Sequence, residues 1–332
     1  MGSAKQEMLL QAKGLRTHFT THEGSFDAVA GVELGIAPNQ AVGLVGETGS
    51  GKSVTALSIL RLVPEPAGRI TEGQVLFQGR DLLSLSDREM RRVRGGAISM
   101  VFQKPMSSLN PTFKIGTQMA DIICLHQGVD HKEALQRGAA LLASVRMSDP
   151  ERILDRYPHE LSGGMRQRVM IAVALSSNPA LIIADEPTTA LDVTIQKQIL
   201  ELIAQTRREH GFSMLFISHD LRTVYNTCDY IYVMYAGQIV EHGPVDEVFL
   251  RPRHPYVEAL LSSLPLLAAR QEMLNVIPDT VPSLLHPPSG CRFHPRCSYA
   301  DNICRSRPPE MIEPSPGHWA ACWRNQAEVA HA

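Results

Sequence analysis

Short apolar runs alternate with amphipathic stretches along most of the chain. Residues 41–45, Ala41-Val42-Gly43-Leu44-Val45, are wholly apolar, the pattern of a strand covered on both faces. Residues 180–184 and 212–217 repeat that pattern, and residues 230–234 give a fourth such strand. Between them lie helical spacings: residues 54–62, which stop before Pro64, then 132–145, 164–177 and the strongly amphipathic 194–210. Residues 9–19 and 29–36 mix apolar and polar positions and read as strands broken by turns. The stretch from about residue 103 to 158 is expected to be mostly helical. Strands alternating with helices predict an α/β layered fold with a largely parallel sheet. The pattern fails after about Arg251, where twelve prolines punctuate the chain from Pro252 to Pro316. Proline removes a donor and fixes φ, so no long element is expected there except around residues 256–273. The tail reads as an irregular appendage.

Composition narrows the picture. Of 332 residues, 44% are hydrophobic and 20% charged, enough apolar material for a packed core and too much for disorder. Lys plus Arg is 32 against 34 Asp plus Glu, so no global charge favours nucleic acid or an anionic membrane. The four arginines between Arg88 and Arg94 therefore read as a solvated helical face rather than a nucleic-acid patch. No run of 18 apolar residues predicts a transmembrane helix, and residues 1–10 lack the apolar core of a secretory signal.

Three motifs carry chemistry. Gly46-Glu47-Thr48-Gly49-Ser50-Gly51-Lys52-Ser53 fits the phosphate-binding loop G-x-x-x-x-G-K-[ST]. Its glycines let backbone N–H groups face phosphate, Lys52 brings a point charge to the β and γ phosphates, and the Ser53 hydroxyl can ligate Mg²⁺. A chance match in a chain of this length is on the order of one in a hundred, given ordinary glycine usage. Second, the apolar run 181–184 ends in Asp185-Glu186. Asp185 is suited to hold Mg²⁺ and Glu186 to polarise a water attacking the γ-phosphate. Third, Leu161-Ser162-Gly163-Gly164-Met165-Arg166-Gln167-Arg168 precedes a helix, with Ser162 as the expected N-cap and two glycines exposing N–H groups.

The order of these motifs, with Gln103, Ala190-Leu191-Asp192 and His219, resembles the nucleotide-binding subunit of ABC transporters over about residues 8–250. Met165 departs from the commonest glutamine at its place. The resemblance implies a P-loop NTPase fold with an inserted helical subdomain at about residues 103–160. It implies ATP and Mg²⁺ as cofactors, Gln103 as the glutamine that senses Mg²⁺ and the attacking water, Glu186 as base, Asp192 as the D-loop aspartate and His219 as the switch histidine. Ser162, Gly163 and Gly164 would close over ATP held by the opposite subunit, sandwiching two ATPs in a head-to-tail dimer. An aromatic upstream of the loop is expected to stack on adenine; Phe19 is the choice and Phe26 the runner-up.

Six cysteines remain. Cys124 and Cys228 are isolated and expected to be buried or half-buried. Cys291, Cys297, Cys304 and Cys322, separated by five, six and seventeen residues, read as a metal site. Four thiolates suit a [4Fe–4S] cluster or Zn²⁺, and the spacing is not the paired C-x₂-C of zinc ribbons. This tail, with His254-Pro255-Tyr256 and Met106-Ser107-Ser108-Leu109-Asn110-Pro111, resembles the dipeptide/oligopeptide importer ATPases, some of which carry an iron–sulfur cluster. The resemblance then spans nearly the whole chain, with residues 251–332 as the C-terminal extension. It implies an ATPase at the cytoplasmic face of the inner or plasma membrane, importing di- or oligopeptides, with nickel chelates or opines as the alternative cargo. Two transmembrane permeases, a paralogous second ATPase forming a heterodimer and, indirectly, a periplasmic or extracellular solute-binding protein are the implied partners. A soluble ABC ATPase acting on nucleic acid or the ribosome is the competing class.

Overall fold

The computed structural model describes residues 7–102, 109–189, 191–263 and 280–329. In chain order its strands are β1 (Leu10–Thr21), β2 (Gly24–Ile36), β3 (Ala41–Val45), β4 (Gly68–Phe77), β5 (Arg80–Asp81), β6 (Ile98–Val101), β7 (Leu181–Asp185), β8 (Ser213–Ser218), β9 (Tyr230–Tyr235), β10 (Gln238–Pro244), β11 (Ile312–Ser315) and β12 (His318–Ala320). The chain divides into two compact units. One comprises residues 1–36, 41–83 and 217–332, the other residues 37–40 and 84–216.

The first unit carries an antiparallel sheet in the order β2-β1-β4-β5. β1 and β2 form one hairpin whose register runs from Leu10↔Ile36 to Thr21↔Gly24. Both strands extend past the ends that their apolar pattern predicts. Beyond residue 19 and before residue 29 the side chains are mostly half-buried or exposed, and cross-strand hydrogen bonds rather than an apolar face carry the pairing. The other strands of this unit run in the order β11-β12-β10-β9-β3. β3 pairs with β9 in parallel from Val42↔Tyr230 to Val45↔Val233, and every residue of β3 is buried. β10 lies antiparallel to β9, and β12 antiparallel to β10 through Glu241↔Ala320 and His242↔Trp319. The helix Lys52–Ile59 follows β3 and is tied to β1 by a 2.7 Å hydrogen bond between the Thr17 and Ser58 hydroxyls.

The proline-rich tail is more ordered than its composition predicts. β11 and β12 make an antiparallel pair that extends the sheet, with Pro314 on outermost β11, where a missing donor costs no ladder bond. A buried hydrogen-bonded contact fastens the extension: His318 Nε2 lies 2.7 Å from Glu241 Oε1, both side chains fully buried. The N–H groups of Arg253 and His254 also donate to Glu241, at 2.9 and 2.6 Å. The helix Pro255–Ser262 begins the stretch expected to be helical to about residue 273; residues 264–279 lie outside the described residues.

In the second unit β6 and β7 pair in parallel, in an order β8-β7-β6 that takes in residues 213–216 of β8, and all residues of β7 and of that part of β8 are buried. Four-residue β6 is too short to show a period and was not legible in the pattern. The region expected to be helical supplies Ile115–Gln127, His131–Ser144 and Pro150–Leu154. Gly128, in the left-handed region at φ 68°, ends the first, and the Asp130 carboxylate caps the second by accepting the Glu133 N–H at 2.9 Å. Ala120, Ile123 and Ala134 form their shared core, with Cys124 half-buried against it; Cys228 is buried in the first unit. The arginine run falls on the helix Asp87–Val93 with Arg88, Arg91 and Arg92 exposed, the solvated face expected.

Candidate functional site

The phosphate loop fills the turn between β3 and the helix Lys52–Ile59, as its spacing requires. A Cβ at Gly46 would sit 2.1 Å from the Met234 carbonyl oxygen, so only glycine fits there. At Gly51, φ is +106° and a Cβ would meet the Ala28 carbonyl oxygen at 2.4 Å. The loop is pinned by the Gly237 N–H donating to the Ser50 carbonyl at 2.8 Å. Lys52 is buried, and its Nζ donates to the carbonyls of Gly46 and Glu47 at 2.8 and 2.9 Å. Thr48 and Gly49 are exposed at the tip, and Ser53 is half-buried. The loop thus presents main chain outward, with a lysine stored against it and a helix N-terminus behind it, an arrangement suited to polyphosphate.

The Glu47 side chain turns away from that use. Its carboxylate takes two hydrogen bonds from Arg296 Nη1, at 3.1 and 3.3 Å, and one from Nη2 at 3.2 Å. Its N–H donates to the Tyr256 hydroxyl at 3.0 Å. Arg296 and Tyr256, 249 and 209 residues along the chain, were not legible as partners of the loop, because no local spacing joins them to it. His219 is exposed directly after β8, beside Asp220, whose carboxylate caps the helix Leu221–Thr227. Phe19 and Phe26 are cross-strand partners with rings stacked at 5.9 Å, both half-buried, so the two aromatic candidates occupy one place.

In the second unit, Asp185 is buried at the end of β7. Glu186 follows at φ +46°, a left-handed conformation that costs a non-glycine residue energy and marks a constrained position. Thr189 Oγ1 donates to its carboxylate at 2.9 Å. Ser162 caps the helix Gly163–Leu175, its hydroxyl accepting the Met165 N–H at 3.3 Å. A Cβ at Gly164 would stand 2.9 Å from Ile195, which accounts for a glycine where this turn meets the helix Val193–His210. Asp192 caps that helix through the Ile195 N–H at 3.0 Å. Gln103 and Ala190 lie outside the described residues.

Cys291, Cys297, Cys304 and Cys322 line one cavity of about 460 Å³. All six cysteines are free thiols. Burial pushes the thiols of Cys291, Cys297 and Cys304 up, and that of Cys322 up to about 11, so all four favour the protonated form near neutrality. The expectation of a formed metal site is not met. Among the described residues no group of three or more His, Cys, Asp or Glu is arranged to hold a metal ion. The donor set nonetheless suits thiophilic chemistry, since all four cysteines border one open cavity.

A strand–loop–helix phosphate site within an α/β fold defines a P-loop nucleotide-binding protein, and the family model described as "ABC transporter" matches residues 29–189. The post-hydrolysis structure of the ATP-binding cassette MJ0796 bound to ADP and Pi superimposes with a TM-score of 0.64 at 27% identity, covering 71% of this chain and 98% of that one. A second model, "Oligopeptide/dipeptide transporter, C-terminal region", matches residues 240–304. The probable peptide ABC transporter ATP-binding protein y4tR of Sinorhizobium fredii is 50% identical over 98% of this chain and 97% of its own. The oligopeptide transport ATP-binding protein OppD of Bacillus subtilis is 48% identical over 95% of this chain and 88% of its own. The probable D,D-dipeptide transport ATP-binding protein DdpD of Escherichia coli is 45% identical over 97% and 98%. The chain belongs to the ATP-binding subunits of the oligopeptide/dipeptide ABC transporter family. It is an ATPase that works with Mg²⁺, in a family whose members act with membrane permeases. No helix among the described residues is long and apolar enough to cross a membrane.

Proposed function

We propose that this chain hydrolyses ATP at the cytoplasmic face of a membrane to drive import of di- or oligopeptides through two transmembrane permeases. The observation that carries the cargo class is near-full-length similarity to peptide-transport ATPases, reinforced by the family match in residues 240–304. The catalytic cassette is residues 8–250, with a helical subdomain at about 103–160 that presses on the permeases; residues 251–332 are the extension.

The chemistry follows from the residues. The loop from Gly46 to Ser53 cradles the phosphates with its N–H groups, Lys52 neutralises β- and γ-phosphate charge, and Ser53 with Asp185 binds Mg²⁺. Glu186 orients and polarises the attacking water, Gln103 monitors that water and the metal, and His219 contacts the γ-phosphate. Phe19, stacked on Phe26, receives adenine. Ser162, Gly163 and Gly164, with Asp192, complete the nucleotide site of a partner subunit. ATP thereby contacts two surfaces when the dimer is closed and one when it is open, and that difference in contacts is what favours closure. The partner is proposed to be a paralogous ATPase, and a solute-binding protein outside the membrane supplies the peptide.

The Cys291, Cys297, Cys304 and Cys322 thiolates are proposed to hold a [4Fe–4S] cluster, with Zn²⁺ as the alternative. The four sulfurs around one cavity support that reading. When bound, either group would cross-link four segments of the extension, and the cluster would add a one-electron couple.

Glu186→Gln tests the core of this reading. The variant is expected to bind ATP normally and to lose phosphate release by at least about a hundredfold, the usual scale for a general base. Normal turnover would remove Glu186 from its role. Affinity purification from detergent-solubilised native membranes is expected to bring down two polytopic permeases and a second ATPase. Ribosomal or DNA-repair proteins in their place would leave only the ATPase standing.

A further inference from the structure

The contact between Glu47 and the extension has no part in the chemistry above, yet it is among the most thoroughly built features of the first unit. Arg296 has a side chain only 3% exposed, and Glu47 is 27% exposed. Three hydrogen bonds join them in a bidentate pair, the strongest arrangement for guanidinium on carboxylate. Burial works against the charge of Arg296, but hydrogen bonds to Tyr235 and Glu47 outweigh it and hold its pKa up. The Tyr256 phenol, which burial keeps neutral, takes the Glu47 N–H. The rings of Tyr235, Tyr256 and Phe293 enclose this contact, with centroids 4.6 to 5.3 Å apart.

Both ends of the contact lead to working groups. On one side, the N–H that Tyr256 holds belongs to the Gly46–Glu47 peptide, whose carbonyl accepts from Lys52 Nζ at 2.8 Å, and the Glu47 carbonyl accepts from the same Nζ at 2.9 Å, so the residue that Arg296 and Tyr256 fix also helps set where the phosphate lysine rests. On the other, Arg296 precedes Cys297 within one tight turn. The Arg296 N–H donates to the Phe293 carbonyl at 3.0 Å, the Cys297 N–H to the His294 carbonyl at 3.3 Å, and the Cys291 N–H to the Cys304 carbonyl at 2.8 Å. Arg296 thus shares one short stretch of hydrogen-bonded backbone with Cys291 and Cys297, and a guanidinium moved off Glu47 would leave a nearly buried charge without that carboxylate.

We propose that Arg296 and Tyr256 are positioning residues for nucleotide. They hold the phosphate loop through the Glu47 side chain and N–H, and so couple ATP affinity to the state of the four-cysteine extension. The inference rests on residues 46–53 being the ATP site. Linkage makes it reciprocal: whatever orders the cysteine segment tightens ATP, and ATP protects the cysteine segment by the same factor.

The test is calorimetric titration of the full chain with ATP and Mg²⁺, paired with steady-state ATPase assays and thermal melting. Arg296→Met is expected to weaken ATP roughly tenfold, within the usual range of coupling between sites, and to raise KM more than it lowers kcat. Glu47→Gln, nearly isosteric and partly exposed, keeps the experiment decisive should Arg296→Met fold poorly, and is expected to weaken ATP severalfold. The double variant should be no worse than the worse single one, and Arg296→Lys should recover part of the loss. N-ethylmaleimide labelling of Cys297, followed by mass spectrometry, should be slowed by saturating ATP in the parent and not in Glu47→Gln. If Glu47→Gln and the folded Arg296 variants bind ATP like the parent while Lys52→Ala does not, the coupling is overturned and the ATP site stands. If the parent itself does not bind ATP, both fall.

Discussion

At the scale of single residues, the phosphate loop was legible because its chemistry demands contiguous residues, and each requirement has a visible cause. Gly51 is held at φ +106° with the Ala28 carbonyl 2.4 Å from any Cβ, so Gly51→Ala must move backbone rather than a side chain. We expect that variant to lose about 1–3 kcal/mol of stability. ATP binding should be lost more completely than the fold, read by urea denaturation beside ATP titration. The Asp185-Glu186 pair was legible for the same reason. What the spacing could not supply is the conformation of Glu186, φ +46°, or the engagement of Glu47 by Arg296, because both are fixed by tertiary surroundings. The buried Glu241–His318 pair belongs with these: two polar residues 77 positions apart give no sign in sequence that they hydrogen-bond to each other.

At the scale of elements, long amphipathic helices and fully apolar strands were read within a few residues of their observed ends. Short or edge elements were not. β6 has only four residues, and the β11–β12 pair hides among prolines. Proline excludes central strands but not the outermost one, and Pro314 sits there. The helix Pro255–Ser262 shows how a local signal can carry a pH response. His254 caps it, Nδ1 accepting the Tyr256 N–H at 3.1 Å, and complete burial lowers the His254 pKa to about 3. The unfolded chain takes up this proton near pH 6.5, whereas the folded chain resists it down to about 3. Stability is therefore unaffected above 6.5 and falls as pH drops through that window, by at most about 1.4 kcal/mol per unit. Neighbouring Glu241 opposes this, since burial raises its pKa and proton uptake there favours the folded form. His254→Asn keeps a capping oxygen and removes the titration. Its stability should fall less than the parent's between pH 7 and 5 in denaturant titrations; equal slopes would refute the assignment.

At the scale of the whole molecule, the class was legible from the order of its motifs, and the role of the tail was not. Composition predicted an irregular appendage, whereas two of its strands extend the sheet from β10, and its arginine grips the phosphate loop. The cysteines are therefore placed to matter beyond their own segment. Chain purified without oxygen is expected to carry iron and labile sulfide with a broad visible absorbance, lost in Cys304→Ser. Zinc in their place would support the alternative metal, and neither would refute ligation by this set.

The parallel pairing of β3 with β9 has a consequence for the life of the newborn chain. The strand that launches the phosphate loop is made early, but its partner Tyr230–Tyr235 leaves the ribosome about 190 residues later. At ordinary elongation rates that is a delay of roughly 10–40 s, during which the loop has no β9 beside it. Tyr256 and Arg296 come later still, after most of the ATPase has been synthesised. A truncated or stalled product that ends before Tyr230 thus carries the phosphate-binding sequence without the strand that pairs beside it.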